Sequence, residues 1–438
     1  MLLSNHIADV AFQAAHGELQ ALEAARFDRE DIAAVQRRKL AALWDRARAT
    51  RYYGPRLPAQ ADALSTLPVT PKALVKGDPE QFATAEATAV KYYETSGTSG
   101  RPTIAPRTVE DIVWNTVAVA GAWKRILGPR DRVASLLPSD VAPIGDLISY
   151  VCEYLGACLV RCYPFAIGMT DWDRLEAICT RFRPNVLFVA PGVILQFMRI
   201  LKHRGRFAEV RASVERIALL GEVSSPSLRR MLAAQWQAAV YDASYGSTET
   251  GTLAATCEAG RLHILAHGAI AEVLIGDAVV PATPGVRGEL VVTPLNTYAR
   301  ALLRYATGDL VEISADTDCL CGLTLPGLRV FGRQEERVAI GGRPVDVDTL
   351  EDAVYALPGI TGYLLELDPA TERGRLLLER DVDTAPVSQD TAERFRAALD
   401  ARGLAFDRVV VLHQLPSLTK SGAGQKNWKK TNVRLVTR

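Results

Sequence analysis

Four short apolar runs, Val133-Ala-Ser-Leu-Leu-Pro138, Ala157-Cys-Leu-Val-Arg-Cys162, Val186-Leu-Phe-Val-Ala-Pro191 and Arg216-Ile-Ala-Leu-Leu-Gly221, alternate with longer amphipathic, charge-bearing stretches. Runs of this length suit strands, and the stretches between them are long enough for crossover helices. The alternation predicts βαβ units and a largely parallel sheet.

From about Gly260 the texture changes to shorter alternating runs with glycine turns, such as Ala271-Glu-Val-Leu-Ile-Gly276 and Gly288-Glu-Leu-Val-Val-Thr-Pro-Leu295, which predict an antiparallel β region. Beyond Phe331-Gly-Arg333 a further α+β unit is expected, with strands in Tyr363-Leu-Leu-Glu-Leu-Asp368 and Arg408-Val-Val-Val-Leu412 and a helix around Thr391 to Arg402. The expected fold is therefore α/β, with a large N-terminal domain over 1–333 of mainly parallel sheets plus a β-rich subdomain, and a small mobile α+β domain over 334–438. Upstream, residues 28 to 50 read as an amphipathic helix, with Asp28 as N-cap and Val35, Leu40, Leu43, Trp44 and Ala47 on one face.

The chain has 438 residues, 48% of them hydrophobic and 23% charged, a balance that excludes a disordered or fibrous protein. With 51 Lys+Arg against 50 Asp+Glu the net charge is +1, so no global field draws it to nucleic acid or an anionic membrane. Any anion must be held locally. Seven cysteines are too few for a disulfide scaffold, and the odd count favours a reducing compartment, with cytoplasm as the expectation. The opening residues lack a basic segment ahead of their apolar ones and carry Asp9, unlike a signal peptide. The apolar stretch Val141 to Val160 is interrupted by Asp146 and Glu153 and is expected to be buried rather than to span a membrane. Cys152, Cys158, Cys162 and Cys179 lie in apolar runs and read as buried thiols.

Three windows carry chemistry. Thr95-Ser96-Gly97-Thr98-Ser99-Gly100-Arg101-Pro102-Thr103 supplies glycines for close backbone approach, several hydroxyl donors and a cation, a set able to wrap a polyphosphate. It is not the common P-loop, because no lysine follows Gly100. Tyr245-Gly246-Ser247-Thr248-Glu249 sets an aromatic, a close-approach glycine, hydroxyls and a carboxylate side by side, able to stack a purine, touch a phosphate and hold Mg²⁺. Arg304-Tyr305-Ala306-Thr307-Gly308-Asp309 ends in a carboxylate that could accept ribose hydroxyls. Taken singly, each window also fits an ordinary turn. No G-x-S-x-G elbow occurs and the six histidines are scattered, which argues against a hydrolytic triad.

The three windows in this order, followed by Phe331-Gly332-Arg333 and Gly341-Gly342, resemble the adenylate-forming superfamily of acyl-CoA ligases, adenylation domains and luciferases. Thr103, where other members have lysine, makes the phenylacetate-CoA ligase-like branch the closest match. The resemblance implies that Thr95, Ser96, Gly97, Thr98, Ser99 and Gly100 close over the β- and γ-phosphates of ATP, and that Gly221-Glu222-Val223 forms the adenine-side loop. It further implies that Tyr245 stacks on adenine, Gly246 allows close approach, Thr248 contacts the α-phosphate and Glu249 holds magnesium. Asp309 matches the ribose-binding aspartate, and Arg333 a ribose or phosphate contact at the end of the large domain. Gln334-Glu335 falls at the hinge of a rotating lid, and Gly342 on the loop that lines a pantetheine tunnel.

The implied activity is ATP- and Mg²⁺-dependent activation of a carboxylic acid, aryl or arylacetic, as acyl-adenylate with release of pyrophosphate, then transfer to coenzyme A. Alternative acceptors are a carrier-protein thiol or an amine, an inorganic oxyanion is an alternative acid, and a catalytically degenerate nucleotide-binding protein is the reading from another class. The resemblance implies the family's catalytic lysine near the C-terminus, usually directly after a glycine; here Gln425 takes that place after Gly424, making Lys426 the candidate, with Lys420 as its rival. Residues 420–438 hold six Lys/Arg and no acid, so a nucleic-acid tail is the competing reading of that segment. Cys257, His263, Cys319 and Cys321 offer soft ligands suited to a closed tetrahedral zinc, and some members of the branch hold a structural zinc with a similar set. No nucleic acid or membrane partner is expected, and the oligomeric state is left open, a homodimer being one option.

Overall fold

The computed structural model describes all residues except 1–5, 59–60, 85–87, 95–101, 167, 316–317, 369, 385–388, 416–431 and 437–438. Two compact units result, neither contiguous in sequence: Met1–Asp131 with Pro138–Leu159 and Ala243–Val330, and Arg132–Leu137 with Val160–Asp242 and Phe331–Arg438. The boundary expected after residue 333 thus falls inside the second unit.

In the first unit the helix Arg29–Arg48 forms as expected, because Asp28 accepts the Glu30 N–H at its start and its apolar face has a core to enter. Leu43, Trp44 and Ala47 are buried against the strands Ala269–Ile275 and Arg287–Pro294 and the segment 301–305. Those strands belong to a five-stranded sheet built from Ala278–Pro281, Ala269–Ile275, Arg287–Pro294, Tyr305–Ile313 and Leu328–Arg333 in that order, with antiparallel pairing among the first four. A second antiparallel sheet joins Leu262–Ile264, Gly251–Thr256 and Ser244–Ser247. Antiparallel pairing therefore also lies ahead of Gly260, in this sheet and in the hairpin of Lys91–Glu94 with Ile104–Arg107, earlier than the sequence texture suggested. The stretch from Val141 folds as the helix Pro143–Leu155, stopped by Gly156 at φ +74°, and among the described residues no helix is long and apolar enough to cross a membrane.

The second unit holds the parallel sheet. The order is Cys158–Arg161, Arg132–Ser135, Val186–Val189, Arg216–Leu219, Ala239–Asp242, and the last four pair in parallel. Val186–Val189 is buried throughout, as a strand covered on both faces must be. The helices Trp172–Phe182, Pro191–His203 and Pro226–Trp236 lie between successive strands. The same unit contains the hairpin Val338–Ile340 with Arg343–Val345, the helix Val347–Tyr355, and a sheet ordered Arg408–Leu412, Arg373–Arg380, Ile360–Asp368, Val433–Leu435. One cysteine departs from expectation. Cys152, Cys162 and Cys179 are buried, but Cys158 is exposed, because its apolar run forms the edge strand, whose ends face solvent.

Candidate functional site

The second window begins on the strand Ser244–Ser247, whose register against Gly251–Thr256 slips between Tyr245 and Gly246. At that bulge a Cβ on Gly246 would lie 2.3 Å from the Gly251 carbonyl oxygen, so only glycine lets the two strands close. The loop beyond is self-tied, with the Thr250 N–H donating to Ser247 Oγ at 3.2 Å. Gly251 reverses the chain at φ +75°, and the next N–H, from Thr252, donates to Asn115 Oδ1 at 2.8 Å.

The third window is brought to the second. Tyr245 donates its hydroxyl to Asp309 Oδ2 at 2.7 Å across a sequence separation of 64 residues. Burial, with the Asp309 carboxylate beside it, pushes the Tyr245 phenol well above its ordinary range and keeps it a donor. Asp309 is placed by its own turn: its N–H reaches Thr307 Oγ1 at 3.1 Å, Gly308 donates to Glu289 Oε1 at 2.9 Å, and Lys72 Nζ holds the Thr307 carbonyl at 2.6 Å. An aromatic, a hydroxyl and two carboxylates are thus held on the first unit, with Glu249 buried at 5% exposure.

Beneath the Thr248–Glu249 turn lie residues that no motif announced. Arg107, at the end of the strand Ile104–Arg107, donates to the Thr248 carbonyl at 2.6 Å, and Arg300 donates to the Glu249 carbonyl at 3.3 Å and the Ile104 carbonyl at 3.1 Å. Asp111 links the two arginine-bearing segments. It closes the capping box of the helix Val109–Trp123 and also accepts the Tyr298 N–H at 2.6 Å and the Ala299 N–H at 3.2 Å. A capping box of the Thr-x-x-Asp form at 108–111 was the one legible signal in this group.

In the second unit Gly221 stands at φ +88° and Glu222 accepts the Gly192 N–H at 3.0 Å, a carboxylate at the N-terminus of the helix Pro191–His203. Arg333 lies 3.6 Å from Glu335 and 3.9 Å from Glu336 in the turn that follows. Residues 95–100, Lys420 and Lys426 lie outside the described residues. Thr103, at the end of the first window, is buried.

The Cys/His set also converges. The ligand atoms of Cys257, His263, Cys319 and Cys321 all lie within 4.8 Å of one another. Cys257 Sγ is 3.7 Å from Cys319 Sγ, too long for a disulfide, and Cys321 Sγ is 3.4 Å from His263 Nε2. The hairpin turn at 257–261 and an isolated antiparallel bridge between His263 and Gly327 bring the two halves together. His263 Nδ1 lies 2.8 Å from the Leu325 carbonyl, which orients the ring with Nε2 toward the thiols, and the Leu323 N–H donates to Cys321 Sγ at 3.4 Å.

A parallel βαβ sheet, antiparallel β sheets and a hydrogen-bonded Tyr245–Asp309 pair agree with the adenylate-forming class of enzyme. The chain belongs to the AMP-binding enzyme family, whose signature matches residues 7–297. It is 25% identical to a phenylacetate-coenzyme A ligase of Thermus thermophilus over 77% of this chain and 74% of that protein. With the phenylacetate-coenzyme A ligase of Escherichia coli the identity is 23% over 68% and 67%. Among solved structures, 2-hydroxyisobutyryl-CoA ligase in a postadenylation complex shares the fold at TM-score 0.76 and 20% identity, covering 94% of this chain and 90% of that one.

Proposed function

We propose that this AMP-binding enzyme is an acid–thiol ligase of the phenylacetate-CoA ligase kind, with an aryl or arylacetic acid as substrate. It activates the carboxylic acid with ATP as an acyl-adenylate, releases pyrophosphate, and passes the acyl group to coenzyme A. The observation that carries this reading is the Tyr245–Asp309 hydrogen bond, which joins two windows distant in sequence on the unit that also holds Thr248 and Glu249 and so supports a base-and-ribose corner there. Thr95 to Gly100 would close over the leaving phosphates, while Gly221 and Glu222 would flank adenine and Arg333 would contact the ribose. Lys426 is the proposed bridge between the incoming carboxylate and the α-phosphate. Residues 334–438 would act as a lid turning about Gln334-Glu335.

The donor set at Glu249 suits magnesium: a hard carboxylate with a neighbouring hydroxyl, leaving most positions to phosphate oxygens and water. The ion would offset charge gathering on the pyrophosphate leaving group. The Cys/His set suits zinc. Tetrahedral thiolate ligands at about 2.3 Å from the ion stand about 3.8 Å apart, close to the separation of Cys257 and Cys319. Such a site is closed and structural. The protein would work as a soluble cytoplasmic enzyme on small molecules.

ATP–pyrophosphate exchange across a panel of aryl, arylacetic and aliphatic acids tests the first half-reaction, and thioester formation with free coenzyme A tests the second. Acid-dependent exchange with thioester formation supports the reading. Exchange without a coenzyme A thioester moves the acceptor to a carrier protein or an amine, and no exchange with any acid removes the ligase reading.

A further inference from the structure

Two arginines are buried side by side under the acidic turn. Arg300 is 2% exposed and Arg107 is 7% exposed. Burial, together with the like charge of Arg107, lowers the Arg300 guanidinium to about 10, so it stays charged at neutral pH, and the Glu249 carboxylate is the first group that opposes this shift. Among the described residues Arg300 Nε has no hydrogen-bond partner. A buried guanidinium with one N–H unpaired is a poor way to fill space; leucine or methionine would pack there without the desolvation cost. The contacts it does make are directed at one target. The planar fork spans the Ile104 and Glu249 carbonyls while Arg107 takes the Thr248 carbonyl, so consecutive peptide groups on either side of the Glu249 Cα are clamped.

Resting on the functional reading above, we propose that Arg300 is a positioning residue that fixes the Glu249 backbone and so aims its carboxylate at the magnesium of the bound nucleotide. Two effects of the arginine oppose each other. Its positive charge repels a cation, whereas its clamp removes the freedom that Glu249 would otherwise lose on binding one. The proposal is that the clamp dominates. A lysine in its place keeps the charge but cannot bridge two carbonyls with one planar group, so it is expected to fail nearly as badly as methionine.

The test measures ATP binding by calorimetry on the full-length protein, with and without Mg²⁺, for wild type, Arg300→Met and Arg300→Lys, with melting curves as the check on folding. The readout is the factor by which Mg²⁺ tightens ATP. That factor is expected to shrink by about tenfold in both variants, the order of change for loss of one charge-assisted hydrogen bond. ATP affinity without Mg²⁺ should move far less. If Arg300→Met does not fold, Arg300→Lys, closer in volume and charge, carries the same comparison. An unchanged or enlarged factor in a folded variant overturns the role of Arg300 while leaving the ligase reading in place. Wild-type protein that binds no ATP under either condition overturns both.

Discussion

The strand Gly251–Thr256 runs from the Thr248–Glu249 turn at one end to Cys257 at the other, and the two ends make a useful comparison. At the first end one carboxylate stands over a turn whose backbone is gripped by Arg107, Arg300 and Asn115. At the second end four ligand atoms converge, and the imidazole and one thiol already have backbone partners behind them. On the proposed reading the first end exchanges nucleotide and would supply few ligands on a stiff support, while the second holds a structural ion and would supply the whole coordination shell. At about 3.4 Å per residue, the strand puts about 20 Å between the two ends, too far for either to act on the other directly.

The hardest blow to this comparison would come at the carboxylate. Glu249→Gln keeps the shape and the backbone clamp but removes the charge, so the rate of ATP–pyrophosphate exchange is expected to fall roughly 10²-fold or more, about 3 kcal/mol of transition-state stabilisation. The melting curve should stay where it was. Near-wild-type exchange at limiting Mg²⁺ would remove Glu249 from the metal site and with it the contrast between the two ends.

The opposite pattern is expected at the cysteines. Desalted protein should carry about one zinc per chain, and Cys319→Ser should lose it and melt several degrees lower, while the folded fraction keeps its exchange rate per molecule. Elemental analysis and the melting curve decide this. Zinc-free protein of full stability would reduce the cluster to core packing, and a Cys319→Ser variant that melts normally but cannot exchange would tie the cluster to the chemistry.

How far the sequence foretold these ends differs for a physical reason. Tyr245, Glu249 and Asp309 are proposed from side chains of distinctive type in short windows, and the structure joins Tyr245 to Asp309. Arg107 and Arg300 act on main-chain carbonyls, which every residue possesses, and nothing in the local sequence says which carbonyl a distant guanidinium will reach. The parallel sheet was legible because strand length and crossover length are set by local patterning, and the Asp28 cap because capping is a contact within one turn. The interleaving of the two units was not legible, since 132–137 and 160–242 group with 331–438 only through packing between distant segments. Cys158 was misjudged for a related reason: an apolar run marks a strand, but its place at the sheet edge is decided by strand order.

A smaller effect sharpens the nucleotide end. Tyr245→Phe keeps the ring and removes only the hydroxyl that holds Asp309, leaving that carboxylate without one of its donors. The loss of one such hydrogen bond predicts a rise of about three- to tenfold in the KM for ATP. The KM for the acid and the melting curve should barely move. A change confined to the acid would relocate Tyr245 from the nucleotide to the acid pocket.

The smallest expected effect on function belongs to Cys158, and it turns the cysteines into a direct readout of the cluster. A disulfide-exchange reagent needs an exposed thiolate. Cys158 is exposed, whereas Cys152 and Cys179 are buried with their thiols pushed up to about 12, and burial raises Cys162 further still. At pH 8 the native protein should therefore react quickly at one cysteine, with Cys257, Cys319 and Cys321 shielded while a metal holds them. Adding a chelator should release these three as a second, slower group. Cys158→Ser should abolish the first phase, leave the second intact, and change neither exchange rate nor melting. If the three cluster thiols react at full speed before any chelator is added, the closed end of the strand is open, and the contrast with Glu249 fails at that end alone.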